Sequence, residues 1–170
     1  TLVYRRREFT EHWAHEASIL PSAHWALLRH RMEPNERKTR VLGAFLAEHP
    51  TYAAEVLELV RTRGAVAAGD VPEPDGRIGT GDGWWGWTMA KCVLEGLLAH
   101  GTLAVADRRS AGFARLYDLA ERVIPSVHRS QVHTREQAQR ELVRLSVRAL
   151  GVGTSRDIAD SLTGGCADSR

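Results

Sequence analysis

Cysteine is nearly absent from this chain: Cys92 falls in an apolar run and Cys166 in a Gly- and Ser-rich end. Two thiols so placed form neither a disulfide framework nor a zinc spacing, and a reducing compartment is expected. No apolar stretch approaches the roughly 18 residues of a membrane span. Nor is the basic Arg5-Arg6-Arg7 followed by the uninterrupted apolar core of a signal peptide. A charge excess of one sign is missing too. Lys and Arg number 23 against 21 Asp and Glu, a net of +2, so any surface for a polyanion must be local. What the chain does have is enough apolar content, 43% of its 170 residues, to bury one core and part of a second, which excludes disorder throughout.

Complete catalytic motifs are also lacking. His12-Trp13-Ala14-His15-Glu16 has the wrong order for a zincin, because the second His should lie three residues beyond the Glu and residue 19 is Ile19. No metal is expected. A pocket or core histidine with Glu16 as its hydrogen-bond partner is the simpler reading, and an accessory catalytic or DNA-backbone role for His15 and Glu16 is the alternative. Gly79, Gly81 and Gly83 lack the Lys-Ser or Lys-Thr of a phosphate-binding loop. Gln137 and Gln139 read as the polar surface of an amphipathic helix.

Three of the five tryptophans crowd the run Gly83-Trp84-Trp85-Gly86-Trp87-Thr88, just ahead of an apolar stripe formed by Met89, Val93, Leu94, Leu97 and Leu98. That stripe predicts a helix to about His100, with Thr88 as its cap. A strand pattern over Leu103–Ala106, a basic turn and a return strand through Phe113 to Leu119 follow. Helix, strand, basic turn, strand is the second half of a winged helix. Upstream, Val41, Leu42, Phe45 and Leu46 predict one helix after Asn35, and Ala53, Val56, Leu57 and Val60 a second that Gly64 ends; Ala65–Ala68 then supplies a short first strand. Residues 1–35 have weak periodicity, with a short helix or strand over Phe9–Ala17 and a short helix from Ser22. Thr134 and Gln137 form a capping box for a helix to about Leu150, and Ser155–Leu162 reads as another helix.

The expected architecture is mainly α with small β-hairpins: tandem winged helix-turn-helix units, the second incomplete. Residues 1–35 pack on the core, 36–125 form the winged helix, 126–133 a linker, 134–162 the partial second unit, and 163–170 a disordered tail. In this reading Lys91 starts the recognition helix while Arg108, Arg109 and Arg115 belong to the wing, so these four contact phosphates on either side of a groove. The plain alternative is solvated basic side chains. Trp84, Trp85 and Trp87 either pack between elements or stack on bases.

At these residues the chain resembles the winged-helix DNA glycosylases that repair alkylated bases and interstrand crosslinks, including the azinomycin-resistance glycosylases. The resemblance rests on His12–Pro21, Trp84-Trp85-Gly86-Trp87 with Lys91 and Leu94-Glu95, Gly101-Thr102-Leu103, Arg109, and Tyr117–Pro125; residues 135–160 match the family's entry into its last winged helix. It implies monofunctional hydrolysis of the N-glycosidic bond of N7-alkylated purines, with no metal or organic cofactor, by a monomeric, bacterial, cytoplasmic protein that joins the nucleoid when bound to duplex DNA. The family's water-positioning pair, two glutamines or a glutamine and an aspartate one residue apart, lies upstream of the His12 block. Only eleven residues precede His12. The first residue is Thr1 rather than Met, so the expectation is a part of a longer chain that does not release bases alone and holds no catalytic pair of its own. The rival expectation is a transcriptional regulator or a non-catalytic DNA-binding module.

Overall fold

The computed structural model describes residues 2–13, 17–34, 36–74 and 87–163. It opens with a helical turn, α1 (Leu2–Arg5), and then a β-hairpin of β1 (Phe9–Trp13) and β2 (Ala17–Pro21), registered Phe9 to Pro21 and Trp13 to Ala17. The sequence left helix and strand open for Phe9–Ala17. Pairing decides it as strand, since Phe9, Thr10 and Trp13 suit a pleated surface and Pro21 sits at the strand end, where its missing N–H costs little. The helix expected from Ser22 is a 3-10 helix, Ser22–Arg31, and Ser22 does not cap it; Pro21 occupies the cap position. Trp25 and Leu28 on this segment, and Met32 just beyond it, are buried.

Two α-helices follow, α2 (Arg37–Glu48) and α3 (Pro50–Arg63). Pro50 begins α3, where an absent N–H is tolerated, and Gly64 closes it with φ of +83°. Val56 and Val60 of α3 are fully buried. Beyond Gly64 the expected first strand shrinks to one bridge: Val66 and Tyr117 exchange both backbone hydrogen bonds, at 3.0 and 2.8 Å.

Helix α4 (Met89–Ala99) is capped by Thr88, whose hydroxyl accepts from the Lys91 N–H at 3.2 Å. Every residue of α4 except Lys91 is buried. A groove-reading helix needs a free face, and α4 has none, because α2, α3, β1 and the second hairpin pack around it. Its role as a recognition helix, expected from sequence, is therefore not available in this arrangement. Gly96 makes the close approach of α2 possible: a Cβ there would stand 3.0 Å from Leu46 Cγ.

The second hairpin joins β3 (Leu103–Arg108) and β4 (Arg115–Leu119), antiparallel, with a bulge between Val105 and Asp107. The return strand starts at Arg115, so Phe113 belongs to the turn. With Val66 bridged to Tyr117 of β4, the order Val66, β4, β3 is that of a winged helix, and the whole is a mainly helical, winged-helix-like fold with small antiparallel hairpins. Two apolar cores sit on either side. One gathers Val56, Val60, Val93, Leu94, Leu98, Leu103 and Tyr117; the other joins Leu20, Trp25, Leu28 and Met32 to Ala104, Ala120 and Ile124.

After β4 the chain makes a helical turn, α5 (Ala120–Val123), and where the sequence predicts a linker, 126–133, it makes another, α6 (Ser126–Arg129), just beyond Pro125. Thr134 and Gln137 close the expected capping box on α7 (Arg135–Leu150), and Leu142 packs on the second core. Helix α8 (Ser155–Thr163) lies against α7.

Candidate nucleic-acid interface

Two carboxylates organise the face formed by the two hairpins and the start of α4. Glu11 of β1 and Glu95 of α4 are both almost fully buried, 1% and 0% exposed. A buried charge is costly unless paired, and each is paired more than once. Arg108 of β3 grips Glu11 at two points, Nε to Oε1 at 2.6 Å and Nη2 to Oε2 at 2.7 Å. Arg115 of β4 bridges the two acids, Nε to Glu11 Oε2 at 2.9 Å and Nη1 to Glu95 Oε1 at 2.7 Å. Lys91 Nζ reaches Glu95 Oε1 at 2.5 Å and the Tyr117 hydroxyl at 2.5 Å, while that hydroxyl lies 2.7 Å from Glu95 Oε1. Tyr4 of α1 donates its hydroxyl to Glu11.

Titration follows from this wiring. Burial by itself raises both carboxyl pKa values, but the Arg108 and Tyr4 hydrogen bonds and the Arg115 charge overcome it at Glu11, as the Lys91 and Arg115 charges do at Glu95. Both acids are held below the usual carboxylate range. Burial, with the neighbouring Glu11, pushes the Tyr4 phenol up to about 12. Loss of solvent pushes His12, between Glu11 and Trp13 on β1, down to about 4, so that ring is neutral at pH 7. Three cations, Lys91, Arg108 and Arg115, face two carboxylates here, leaving one positive charge in surplus.

Of the four basic residues read from sequence as phosphate contacts, the structure thus brings three onto this network, with side chains 27% (Lys91), 30% (Arg108) and 11% (Arg115) exposed. Arg109 lies apart, 48% exposed, against Asp70 at 2.5 Å. Trp87 is half-buried with Lys91 Nζ 5.7 Å from its ring centroid. Trp87, Thr88 and Lys91 line one side of a cleft of about 340 Å³, with Val71 and Glu73 opposite. Trp84, Trp85, His15 and Glu16 lie outside the described residues. Among the described residues no three of His, Cys, Asp and Glu come together as a metal site, and no helix is long and apolar enough to cross a membrane. Gln137 is occupied at the start of α7, where its side chain accepts from the Thr134 N–H at 3.0 Å.

Sequence reasoning missed Glu11, Glu95, Tyr4 and Tyr117. One signal was present: Glu95 interrupts the stripe of Val93, Leu94, Leu97 and Leu98, and a charge among apolar core positions calls for a counter-ion. Nothing in the sequence marked Glu11, because its two arginine partners lie 97 and 104 positions away.

Residues 1–168 match the family described as DNA glycosylase AlkZ-like. No solved structure matches the chain.

Proposed function

Since this chain belongs to the AlkZ-like DNA glycosylase family, we propose that it is the duplex-binding portion of a monofunctional glycosylase that hydrolyses N7-alkylated purines and unhooks interstrand crosslinks. The observation that carries this reading is the hairpin of β3 and β4. It presents Arg108, Arg109 and Arg115 on a rigid two-stranded scaffold beside Lys91, the placement a winged helix uses to meet the phosphate backbone. Arg109 is the most exposed of the four and makes the leading phosphate contact, exchanging Asp70 for the DNA. The surplus charge of the Glu11–Glu95 network adds a field of the same sign. His15 and Glu16 are accessory contacts to the lesion or backbone, and Trp84, Trp85 and Trp87 offer stacking surfaces.

An operator-reading regulator is the weaker alternative because α4 is enclosed. Reading base edges in a major groove takes a helix with a free face, whereas backbone and shape contacts need only the hairpin. Binding is therefore indifferent to base sequence.

The chemistry divides in the same way. Water attacks C1′ of the deoxyribose, the bond to N9 breaks, and its electron pair leaves with the cationic base, which departs neutral, while the attacking water gives up a proton to solvent to leave the hydroxyl on C1′; the protein's share is to place the water and offset charge growing on the sugar. Glu11 and Glu95 are buried and tied to cations, so neither takes part. That work falls to a pair of amide or carboxylate side chains outside the Glu11–Glu95 network. The test compares binding of the 170-residue chain to unrelated duplex sequences, and scores base release from a duplex carrying one N7-methylguanine. Near-equal affinities with no release support the reading. Binding to a single sequence moves the protein to the regulator class, and release by this chain alone contradicts the division of labour.

A further inference from the structure

The turn between β3 and β4 carries an aromatic ring with no packing partner in the cores: Phe113 is 71% exposed. Its backbone has φ of +53°, directly after Gly112 at +75°. Glycine adopts that region freely, but a bulky side chain avoids it. The conformation is held from below. Arg108 Nη1 donates to the Phe113 carbonyl at 2.9 Å, and the other two donors of the same guanidinium are fixed on buried Glu11. The Arg109 N–H closes the turn on the Ala114 carbonyl at 2.9 Å.

A buried carboxylate thus braces, through one arginine, an unfavourable backbone that displays an aromatic ring to solvent. Strain kept at an exposed site points to use rather than packing. The surroundings of the ring say what it meets. From Arg108 to Arg115 the sequence holds three arginines and no acid, and the other residues flanking Phe113 are Ser110, Ala111, Gly112 and Ala114. The tip is slender, cationic at its base and apolar at its end. A protein-binding aromatic would sit among other apolar groups, but here small residues and arginines surround it. Stacked bases between two phosphate rails fit such a tip.

We propose that Phe113 is a wedge that enters duplex DNA between neighbouring bases while Arg109 holds the backbone beside it. Apolar wedges of this kind part base steps and kink the duplex. The proposal rests on the duplex-binding reading above and adds to it one residue and a distortion of the DNA.

The test uses duplexes that each carry 2-aminopurine at one of several steps, since its emission is quenched by stacking and rises when the stack opens; anisotropy of a distant dye reports binding separately. Wild-type protein at saturation brightens at least one duplex. Phe113→Gly removes the ring and suits the positive φ, so it melts no lower than wild type, yet it abolishes the brightening and weakens binding by roughly tenfold, the scale of one base–aromatic stack. Phe113→Leu restores part of the signal. Saturated binding by wild type with no brightening at any step, or brightening that persists in Phe113→Gly, overturns the wedge and leaves the duplex-binding reading in place. No binding by wild type at all overturns both.

Discussion

Glu11 and Arg108 stand 97 residues apart in the chain and form a two-point ion pair, at 2.6 and 2.7 Å, that ties the N-terminal hairpin to the wing. The same carboxylate takes a third bond from Arg115, which carries on to Glu95 of α4. The position of the basic hairpin is thus set by acids inside the protein, and Arg108 reaches solvent already oriented by Glu11.

Arg115 is the more structural of the two network arginines. It serves both carboxylates and is 11% exposed, against 30% for Arg108. Arg115→Ala is expected to cost about 3 kcal/mol, the scale of leaving buried charge short of a partner. Arg108→Ala should cost about 1 to 2 kcal/mol, because water reaches that edge of the network. Urea unfolding of the two variants checks the order; equal small losses would mean that the network contributes little to the fold.

Acid should weaken the protein in two stages. His12 has a folded pKa of about 4 against 6.5 unfolded, so between those values the unfolded chain binds a proton that the folded chain refuses. Stability is full above pH 6.5 and falls toward pH 4, by about 3 kcal/mol from this residue. Burial lowers His24, His30 and His100 as well and steepens the decline. Glu11 and Glu95, held below 4.5, keep their stabilisation above that pH and lose it on further acidification. Unfolding of wild type and His12→Gln between pH 4 and 7 isolates the first stage: the variant's stability should depend less on pH, and identical slopes would contradict the assignment.

Gly101 and Gly151 have nearly the same positive φ, 71° and 70°, but different neighbours. A Cβ on Gly101 would lie 2.5 Å from Met32 Sδ and 3.4 Å from Trp25, while nothing stands within 4 Å of one on Gly151. Gly151→Ala should cost about 1 kcal/mol through backbone strain, and Gly101→Ala about 2 to 3 kcal/mol because buried Met32 must also move. Thermal melts of the pair separate conformational cost from crowding, and equal shifts would show that Met32 gives way freely.

Local signals carried well into the structure. Thr88 and Thr134 cap the helices they precede, Gly64 and Gly151 end theirs, and the strand pattern over 103–119 is a hairpin. Each of those features needs only a few neighbouring residues. What the sequence hid is long-range. The apolar stripe of α4 indicated one buried face, but whether the other face is free depends on where α2 and β1 come to rest, and Gly96 admits Leu46 on that side. The wing arginines were legible as a basic cluster. Their ties to Glu11 and Glu95 were not, because an ion pair across some hundred residues leaves no periodic trace. The strain at Phe113 likewise emerges only once the register places it in the turn and not on β4.

The salt dependence of duplex binding tests most directly whether this wing meets the DNA backbone. Affinity of wild type and Arg109→Ala for one random-sequence duplex, measured from low to moderate salt, gives the slope of log K against log salt, which counts the phosphates neutralised. A steep fall is expected for wild type and a slope shallower by about 1 for Arg109→Ala, which neutralises one phosphate fewer. The fold of the variant should be unchanged, since among the described residues the hydrogen bonds of the Arg109 side chain go to Asp70 at the surface. Binding insensitive to salt, or a slope that Arg109→Ala leaves unaltered, would contradict a wing that grips the phosphates.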